Sequence, residues 1–205
     1  MITFFFIRGE WEWEYIYIVK EDYINYLKKF DDNIRDNKNE SRPYIGILLE
    51  VNGMNYIAPL ASPKEKHKSM KNNIDFFKLE NGDLGVINLN NMIPVHKENI
   101  VEYNFEERHN RKYSILLTKQ IRFINKNEDV IKNKANKLYN KVISGRSFIA
   151  KRCVNFELIE KKVLEYNSDI REAAVTKTVG IKDIVKDASK KADEHNKKKK
   201  RFKSS

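Results

Sequence analysis

The sequence predicts an α+β fold in which a compact, strongly bent antiparallel sheet is joined by peripheral helices. The first half of the 205-residue chain holds short runs rich in Ile, Val and Tyr, separated by turn residues. The dipeptide Asn52-Gly53 suits a two-residue type I′ turn, because both positions of that turn need a positive φ. From Tyr113 onwards, apolar residues recur with the 3.6-residue period of an α-helix.

The clearest predicted element is a hairpin over residues 44–60. Counting outwards from its turn pairs Ile47 with Ala58. The same count brings Arg42 close to Ser62, just beyond the end of the second strand. The hairpin therefore predicts that a guanidinium and a serine hydroxyl are neighbours in space.

Elements on either side of the hairpin follow from the same local patterns. Before it we expect one strand and one helix, at 15–19 and 21–30. After it we expect a polar basic loop and then short strands at 75–79, 84–89, near Val95 and at 100–103. Three helices complete the pattern, the second capped by Asn127 and the third by Asn155.

Charge and composition divide the chain into a domain and two flanking segments. The formal net charge is +11, which favours nucleic acid or another anionic surface as a partner. A lysine-rich proteome is the alternative explanation. We expect an N-terminal extension at 1–14, one domain at 15–166 and a basic tail at 167–205 that is disordered or helical.

Composition also excludes several classes of protein. Cys153 is the single cysteine, so a disulfide framework is excluded and a cytoplasmic location is expected. No apolar run approaches the roughly 20 residues that span a bilayer, so we expect no membrane association. The four histidines are scattered and no His or Cys pair has ligand spacing. We therefore expect no metal and no cofactor.

Groups suited to a phosphodiester are concentrated just after the second hairpin strand. RNA carries its own nucleophile, the 2′-OH, so an enzyme must align it, stabilise the phosphorane and manage two protons. We expect Lys64 and Arg42 to stabilise negative charge. Ser62 would hydrogen-bond a phosphate oxygen or relay a proton, and His67 would act as acid or base. An ordinary turn, a solvated lysine face and a surface histidine are the alternative interpretations.

A longer pattern surrounds these residues, and its most specific part is the run Ala58-Pro59-Leu60-Ala61-Ser62-Pro63-Lys64. Other parts are Arg42 to Glu50, Leu84 to Leu89, Asn91 to Pro94, Lys119-Gln120 with Phe123-Ile124, and Cys153 with Asn155-Phe156. The pattern resembles the ToxN/AbiQ endoribonuclease toxins of type III toxin–antitoxin systems. The resemblance covers residues 15–166 and implies a MazF/Kid-like toxin fold.

The resemblance also implies an activity and a partner. It implies metal-independent, sequence-specific cleavage of adenine-rich RNA that leaves a 2′,3′-cyclic phosphate and a 5′-OH. It implies inhibition by a small repeat RNA, which the toxin processes into pseudoknots and binds in a ring, often a heterohexamer of three copies of each. The usual biological role of the family is abortive infection against bacteriophage.

Only some of the family's functional positions have the same residue in this chain. By position, Ser62 and Lys64 match its catalytic serine and lysine. Arg42 stands where some members have a lysine, and Ala61 where some have a threonine. A tyrosine that some members use upstream has no match near Lys38. Catalysis would therefore depend on the serine, the lysine, His67 as a further candidate, and the positioning of the substrate.

The expected RNA surface combines the basic loop with one later helix. Its cations would be Lys66, Lys68, Lys71, Lys119 and Arg122, and bases would splay onto the aromatic rings of Tyr44 and Tyr56. A noncatalytic RNA-binding protein would use the same patch and is the first alternative. The second alternative is a toxin that binds a protein such as gyrase through the sheet.

Overall fold

Seven antiparallel strands form one sheet in the part of the chain that the computed structural model describes, residues 16–104, 111–145 and 147–168. The strands are β1 (Ile16–Val19), β2 (Pro43–Val51), β3 (Met54–Ala61), β4 (Phe77–Leu79), β5 (Gly85–Ile87), β6 (Ile93–Val95) and β7 (Ile100–Glu102). Their order is β4-β5-β3-β2-β1-β7, and β6 pairs with β3 off this path. The antiparallel α+β architecture that the sequence predicts is confirmed.

Five α-helices accompany the sheet within the described ranges. They are α1 (Glu21–Lys28), α2 (Glu65–Ser69), α3 (Arg111–Lys126), α4 (Glu128–Ile143) and α5 (156–168). The predicted cap of α5 is confirmed, because Asn155 Oδ1 accepts the Leu158 N–H at 3.2 Å. The predicted cap of α4 is confirmed in position only: Asn127 is the N-cap residue, but its side chain makes no capping bond and instead donates to the Phe123 carbonyl at 2.7 Å, within the last turn of α3.

The β2–β3 hairpin has the predicted turn but not the predicted register along its whole length. Leu49 faces Tyr56 as expected, whereas Ala58 faces Ile45 rather than Ile47. Four steps along β2 therefore match two steps along β3, which is a bulge of two residues in β2. Pairing of β2 with β1 and of β3 with β5 fixes this far end independently of the turn.

Three aromatic rings meet a buried carboxylate under the turn end of the hairpin. The ring centroid of Tyr56 lies 5.6 Å from that of Tyr139 and 5.8 Å from that of Phe156. Glu160 Oε1 accepts hydrogen bonds from the Tyr56 hydroxyl at 2.6 Å and the Tyr139 hydroxyl at 2.7 Å. This cluster connects the sheet to α4 and α5, and Glu160 is one of several buried polar residues in the described part of the chain.

The described residues up to Val163 belong to one compact unit, and 164–168 belong to a second. The predicted extension at 1–14 lies outside the described residues, as does the tail from residue 169 onwards. Among the helices that the structure describes, none combines the length and the apolarity needed to cross a bilayer.

Candidate active site

A cavity of about 560 Å³ opens at the end of β3, a size typical of ligand pockets. Three segments line it: Lys38, Ser41, Arg42 and Pro43 before and at the start of β2; Leu60, Ala61, Ser62 and Lys64 at the end of β3; and Tyr103 with Tyr113. Three of these residues are cationic and none is Asp or Glu. Cations and hydroxyls without carboxylates suit an anionic ligand such as a phosphodiester.

The β3 side of this cavity is set by sheet pairing. Leu60 faces Ile87 and Ala61 faces Val86, so the strand is held on β5 up to its last residue. Ser62 and Lys64 follow at once and are exposed. The hydroxyl and the ammonium group therefore stand at the point where regular backbone pairing ends.

The other side is built from a left-handed turn at residues 38–40. Lys38, Asn39 and Glu40 have φ values of 54°, 53° and 56°, a region that L-residues seldom occupy and that is strained away from glycine. The Asn37 carbonyl accepts the backbone N–H groups of Ser41 and Arg42, both at 3.2 Å. These bonds close the turn and bring Lys38 to the rim of the cavity.

Asp36 holds both ends of the same turn. Its carboxylate accepts the Lys38 N–H at 2.6 Å, which is the main reason that the pKa of Asp36 is lowered. Its backbone carbonyl accepts from Arg42 Nε at 2.7 Å. Since a guanidinium has five donors, Arg42 is anchored here and keeps further donors for a phosphate.

The predicted meeting of Arg42 and Ser62 is confirmed, because both residues line this cavity. The register by which it arises differs from the prediction. From the observed pair Tyr44–Pro59, counting outwards places Arg42 level with Ala61, one residue before Ser62. The two-residue bulge thus moves the guanidinium along the strand without removing it from the site.

The structure corrects the role expected of His67. The side chain is 3% exposed, it lies in α2, and it is not among the residues that line the cavity. Burial, assisted by Lys66 and Lys64, lowers its pKa and favours the neutral imidazole. A buried ring outside the cavity lining is poorly placed to exchange protons with a substrate.

The structure also corrects the two tyrosines expected to stack on bases. Tyr44 is 1% and Tyr56 is 0% exposed, so neither ring face is open to a nucleotide. Burial raises the pKa of both phenols, and the Tyr56 hydroxyl is bonded to Glu160. Aromatic side chains do line the cavity, but they are Tyr103 and Tyr113.

The cations expected to bind RNA are on the surface but outside the cavity. All five are exposed: Lys66, Lys68, Lys71, Lys119 and Arg122. Lys68 is partly neutralised, because its Nζ lies 3.3 Å from Glu65 and 3.2 Å from Asp83. Lys119 and Arg122 lie three residues apart on α3, and both are exposed.

Sequence reasoning missed Lys38, Ser41, Tyr103 and Tyr113 as cavity residues. A signal for Lys38 existed, since the asparagines and aspartates around it favour positive φ and local side-chain bonds. The two tyrosines lie 42 and 52 residues after Ala61 in the chain. Their approach to Ser62 follows from the packing of β7 and α3, which no local pattern indicates.

Comparison with known proteins identifies the family of this chain. The family model for the toxin ToxN of type III toxin–antitoxin systems matches residues 15–164. The chain is 35% identical to an endoribonuclease ToxN of Pectobacterium atrosepticum over 166 residues, covering 76% of this chain and 95% of that protein.

Solved structures show the same similarity in three dimensions. One, from a study of a processed non-coding RNA that regulates a bacterial antiviral system, is 35% identical, with a TM-score of 0.66 over 74% of this chain and 98% of that chain. Another, from a study of selective toxin inhibition by a non-coding RNA pseudoknot, is 30% identical, with a TM-score of 0.65 over 75% of this chain and 97% of that chain. This chain belongs to the ToxN family of toxins from type III toxin–antitoxin systems.

Proposed function

We propose that this chain is an endoribonuclease toxin and that the cavity at the end of β3 is where it cuts RNA. One observation carries the proposal: Ser62, Lys64, Arg42 and Lys38 line a single cavity that contains no carboxylate among its described lining residues. Cleavage would be metal-independent, since Mg²⁺ sites in proteins are built from carboxylates together with phosphates. No cofactor is required.

The proposed reaction is a transesterification within the RNA. The 2′-oxygen attacks the adjacent phosphorus, a bond between O2′ and phosphorus forms, and the bond between phosphorus and O5′ breaks. The 2′-OH loses its proton and the departing 5′-oxygen gains one. The products are a 2′,3′-cyclic phosphate and a 5′-OH.

The cavity residues have two proposed roles: the cations offset negative charge, and the serine aligns the phosphate. Lys64, Arg42 and Lys38 would offset the negative charge that builds on the non-bridging oxygens of the phosphorane. Arg42 acts only as a charge, because arginine does not deprotonate in proteins. The Ser62 hydroxyl would donate to a phosphate oxygen and orient the phosphorus for in-line attack.

The proposed regulator is a small repeat RNA that the toxin itself processes into pseudoknots. The related structures with non-coding RNA support such a partner. Lys119 and Arg122 on α3 would bind its phosphates, and three toxins with three RNAs would close into a heterohexameric ring. Mass measurement of the reconstituted complex by light scattering tests the stoichiometry; a complex of one toxin and one RNA would refute the ring.

Three finer parts of the proposal concern the RNA substrate, the type of fold and the biological role. Adenine-rich cellular or phage RNA in the cytoplasm is the proposed substrate, and abortive infection against bacteriophage is the proposed role. We also propose that the twisted sheet is MazF/Kid-like, which a strand-by-strand comparison with that toxin group would test. Cleavage-site sequencing tests the adenine preference.

The central test is cleavage of adenine-rich RNA by the purified protein in EDTA. We expect cut fragments with cyclic phosphate ends, and we expect Ser62→Ala to lower kcat about 10²-fold or more through the lost transition-state hydrogen bond. Ser69→Ala is the matched control, because Ser69 is exposed and bonds only its own helix through the Lys66 carbonyl. Binding without cleavage would support a noncatalytic RNA-binding protein instead.

A further inference from the structure

Gly85, the first residue of β5, passes against the peptide that leads into Ser62. Its φ is +98°, and a Cβ placed on it would lie 2.0 Å from the Ala61 carbonyl oxygen and 3.0 Å from the Ser62 carbonyl carbon. Neither contact involves a flexible side chain that could move away. Only glycine therefore allows the two backbones to approach so closely here.

Gly82, three residues earlier, makes a second contact of the same kind. Its φ is +102°, and a Cβ there would lie 2.8 Å from both the carbonyl carbon and the oxygen of His67. The turn before β5 thus touches the backbone of the segment 61–68 near both of its ends. Asp83 adds an ion pair to Lys68 at 3.2 Å.

Gln120 supports this turn from behind. Its side chain is 1% exposed, and its Nε2 donates to the Leu84 carbonyl at 2.6 Å. Leu84 is joined directly to Gly85, so α3 holds the turn at the residue next to the close approach. Gln120 is not among the residues that line the cavity.

We infer that Gly85 and Gln120 are positioning residues for the proposed reaction. Together with the turn at 80–85 they form a brace that fixes the backbone of Ala61 and Ser62, and hence the direction of the Ser62 hydroxyl. The inference rests on the proposed function, since it assigns these residues to that site. Its physical basis is that a misplacement of about 1 Å can lower a rate about 10²-fold.

The test compares two glycine substitutions. Gly85→Ala adds a methyl group against the Ala61 carbonyl, whereas Gly53→Ala adds one at φ +73° with nothing within 4 Å. Both variants carry the strain of a positive φ, and only the first disturbs the segment before Ser62. We expect kcat to fall about 10²-fold for Gly85→Ala, with KM changed less than about threefold, and we expect Gly53→Ala to keep the wild-type kcat.

Gln120→Met tests the same brace without a backbone clash, because methionine nearly keeps the side-chain volume and removes the amide that donates to the Leu84 carbonyl. We expect kcat to fall about tenfold, while binding of RNA with a 2′-deoxy block at the cut site stays within twofold. Faster amide hydrogen exchange at residues 62–68, with the β1–β2 amides unchanged, would show that the segment has loosened.

The outcomes separate the brace from the proposed function. Absence of cleavage by the wild-type protein would overturn the proposed function. Wild-type kcat in folded Gly85→Ala or Gln120→Met would overturn the brace and leave that function standing. For Gln120→Met, a loss of activity that only follows the loss of folded protein would likewise overturn the brace. If Gly85→Ala does not fold, Gln120→Met decides.

Discussion

Glu160 shows how a single buried carboxylate determines the roles of its neighbours. One oxygen accepts from two phenols, Tyr56 and Tyr139, and the other lies 3.4 Å from the Asn52 amide nitrogen. Burial and these bonds raise the pKa of both phenols, so both stay protonated as donors. Both the ring and the hydroxyl of Tyr56 therefore make their contacts inside the core.

We expect Tyr56→Phe to lower the free energy of unfolding by about 1–3 kcal/mol, because Glu160 loses a donor in a buried site. Urea unfolding measures the change. RNA cleavage per folded molecule should be unchanged, since the ring is fully buried. A variant as stable as the wild type but impaired in cleavage would restore a direct role for Tyr56 in RNA binding.

His67 gives the protein an expected dependence of stability on pH. Burial, with Lys66, Lys64 and Lys78 nearby, lowers its pKa in the folded state. The unfolded chain then binds the proton more readily, so this contribution is complete above the ordinary histidine pKa of about 6.5 and is lost as pH falls below it. Urea unfolding between pH 7.5 and pH 5, values chosen around that pKa, measures the loss.

His67→Gln is the comparison for that measurement. The variant should lose this part of the pH dependence, and it should keep its cleavage rate per folded molecule because the imidazole lies outside the cavity lining. An unchanged pH dependence of stability would contradict the assignment of the effect to His67. Loss of cleavage in a folded variant would contradict its exclusion from the chemistry.

At the scale of elements, the left-handed turn at 38–40 stores strain beside the cavity. Asparagine tolerates a positive φ better than lysine does, so Lys38→Asn keeps the turn and removes the charge. We expect this variant to be at least as stable as the wild type and to cleave RNA about tenfold more slowly. Lys38→Arg, which keeps the charge, should recover most of the rate. Equal rates for Lys38→Asn and wild type would remove Lys38 from the mechanism.

The elements that sequence reasoning predicts are those with local determinants. The turn at Asn52-Gly53 fixes one end of the hairpin by its own φ preference, and the Asn155 cap likewise acts within four residues. The bulge in β2 was not predictable, because pairing with β1 and β5 determines it. The short helix α2 was also missed; Lys64, the N-cap residue just before it, makes no side-chain capping bond.

In the candidate site, too, the residues joined by local sequence were predicted, and those brought in by long-range packing were not. Arg42, Ser62 and Lys64 were predicted together because a hairpin register joins them, and register depends on nearby sequence. Tyr103 enters the cavity from the end of β7, whose place beside β1 is a long-range pairing. The burial of His67 depends on the turn at Gly82, which is likewise distant in sequence.

At the scale of the whole molecule, the net charge of +11 makes salt the simplest probe of RNA binding. Each phosphate contact releases counterions, and the slope of log K against log salt is about −0.7 per contact for single strands and −0.9 for duplexes. We expect Lys119→Ala with Arg122→Ala to weaken antitoxin binding and to reduce this slope by about 1.4–1.8. Filter binding over a range of salt concentrations measures it.

The matched control removes two exposed lysines from α4, as Lys137→Ala with Lys141→Ala. It makes the same change in net charge away from α3, so it should lower affinity less and leave the slope nearly unchanged. Identical effects of the two double variants would show that α3 has no special role and that only the overall charge attracts RNA.

Strands β1 and β5 hold the cavity end of the hairpin by their own pairings, beyond the bulge in β2. Any change in chain length at the exposed tip, between Asn52 and Gly53, is separated from the cavity by most of a nine-residue strand, on the order of 25 Å. The tip is therefore the natural place to insert an affinity handle or a fluorescent label. Such an insertion would report on assembly with RNA in real time while leaving the cutting centre as it is.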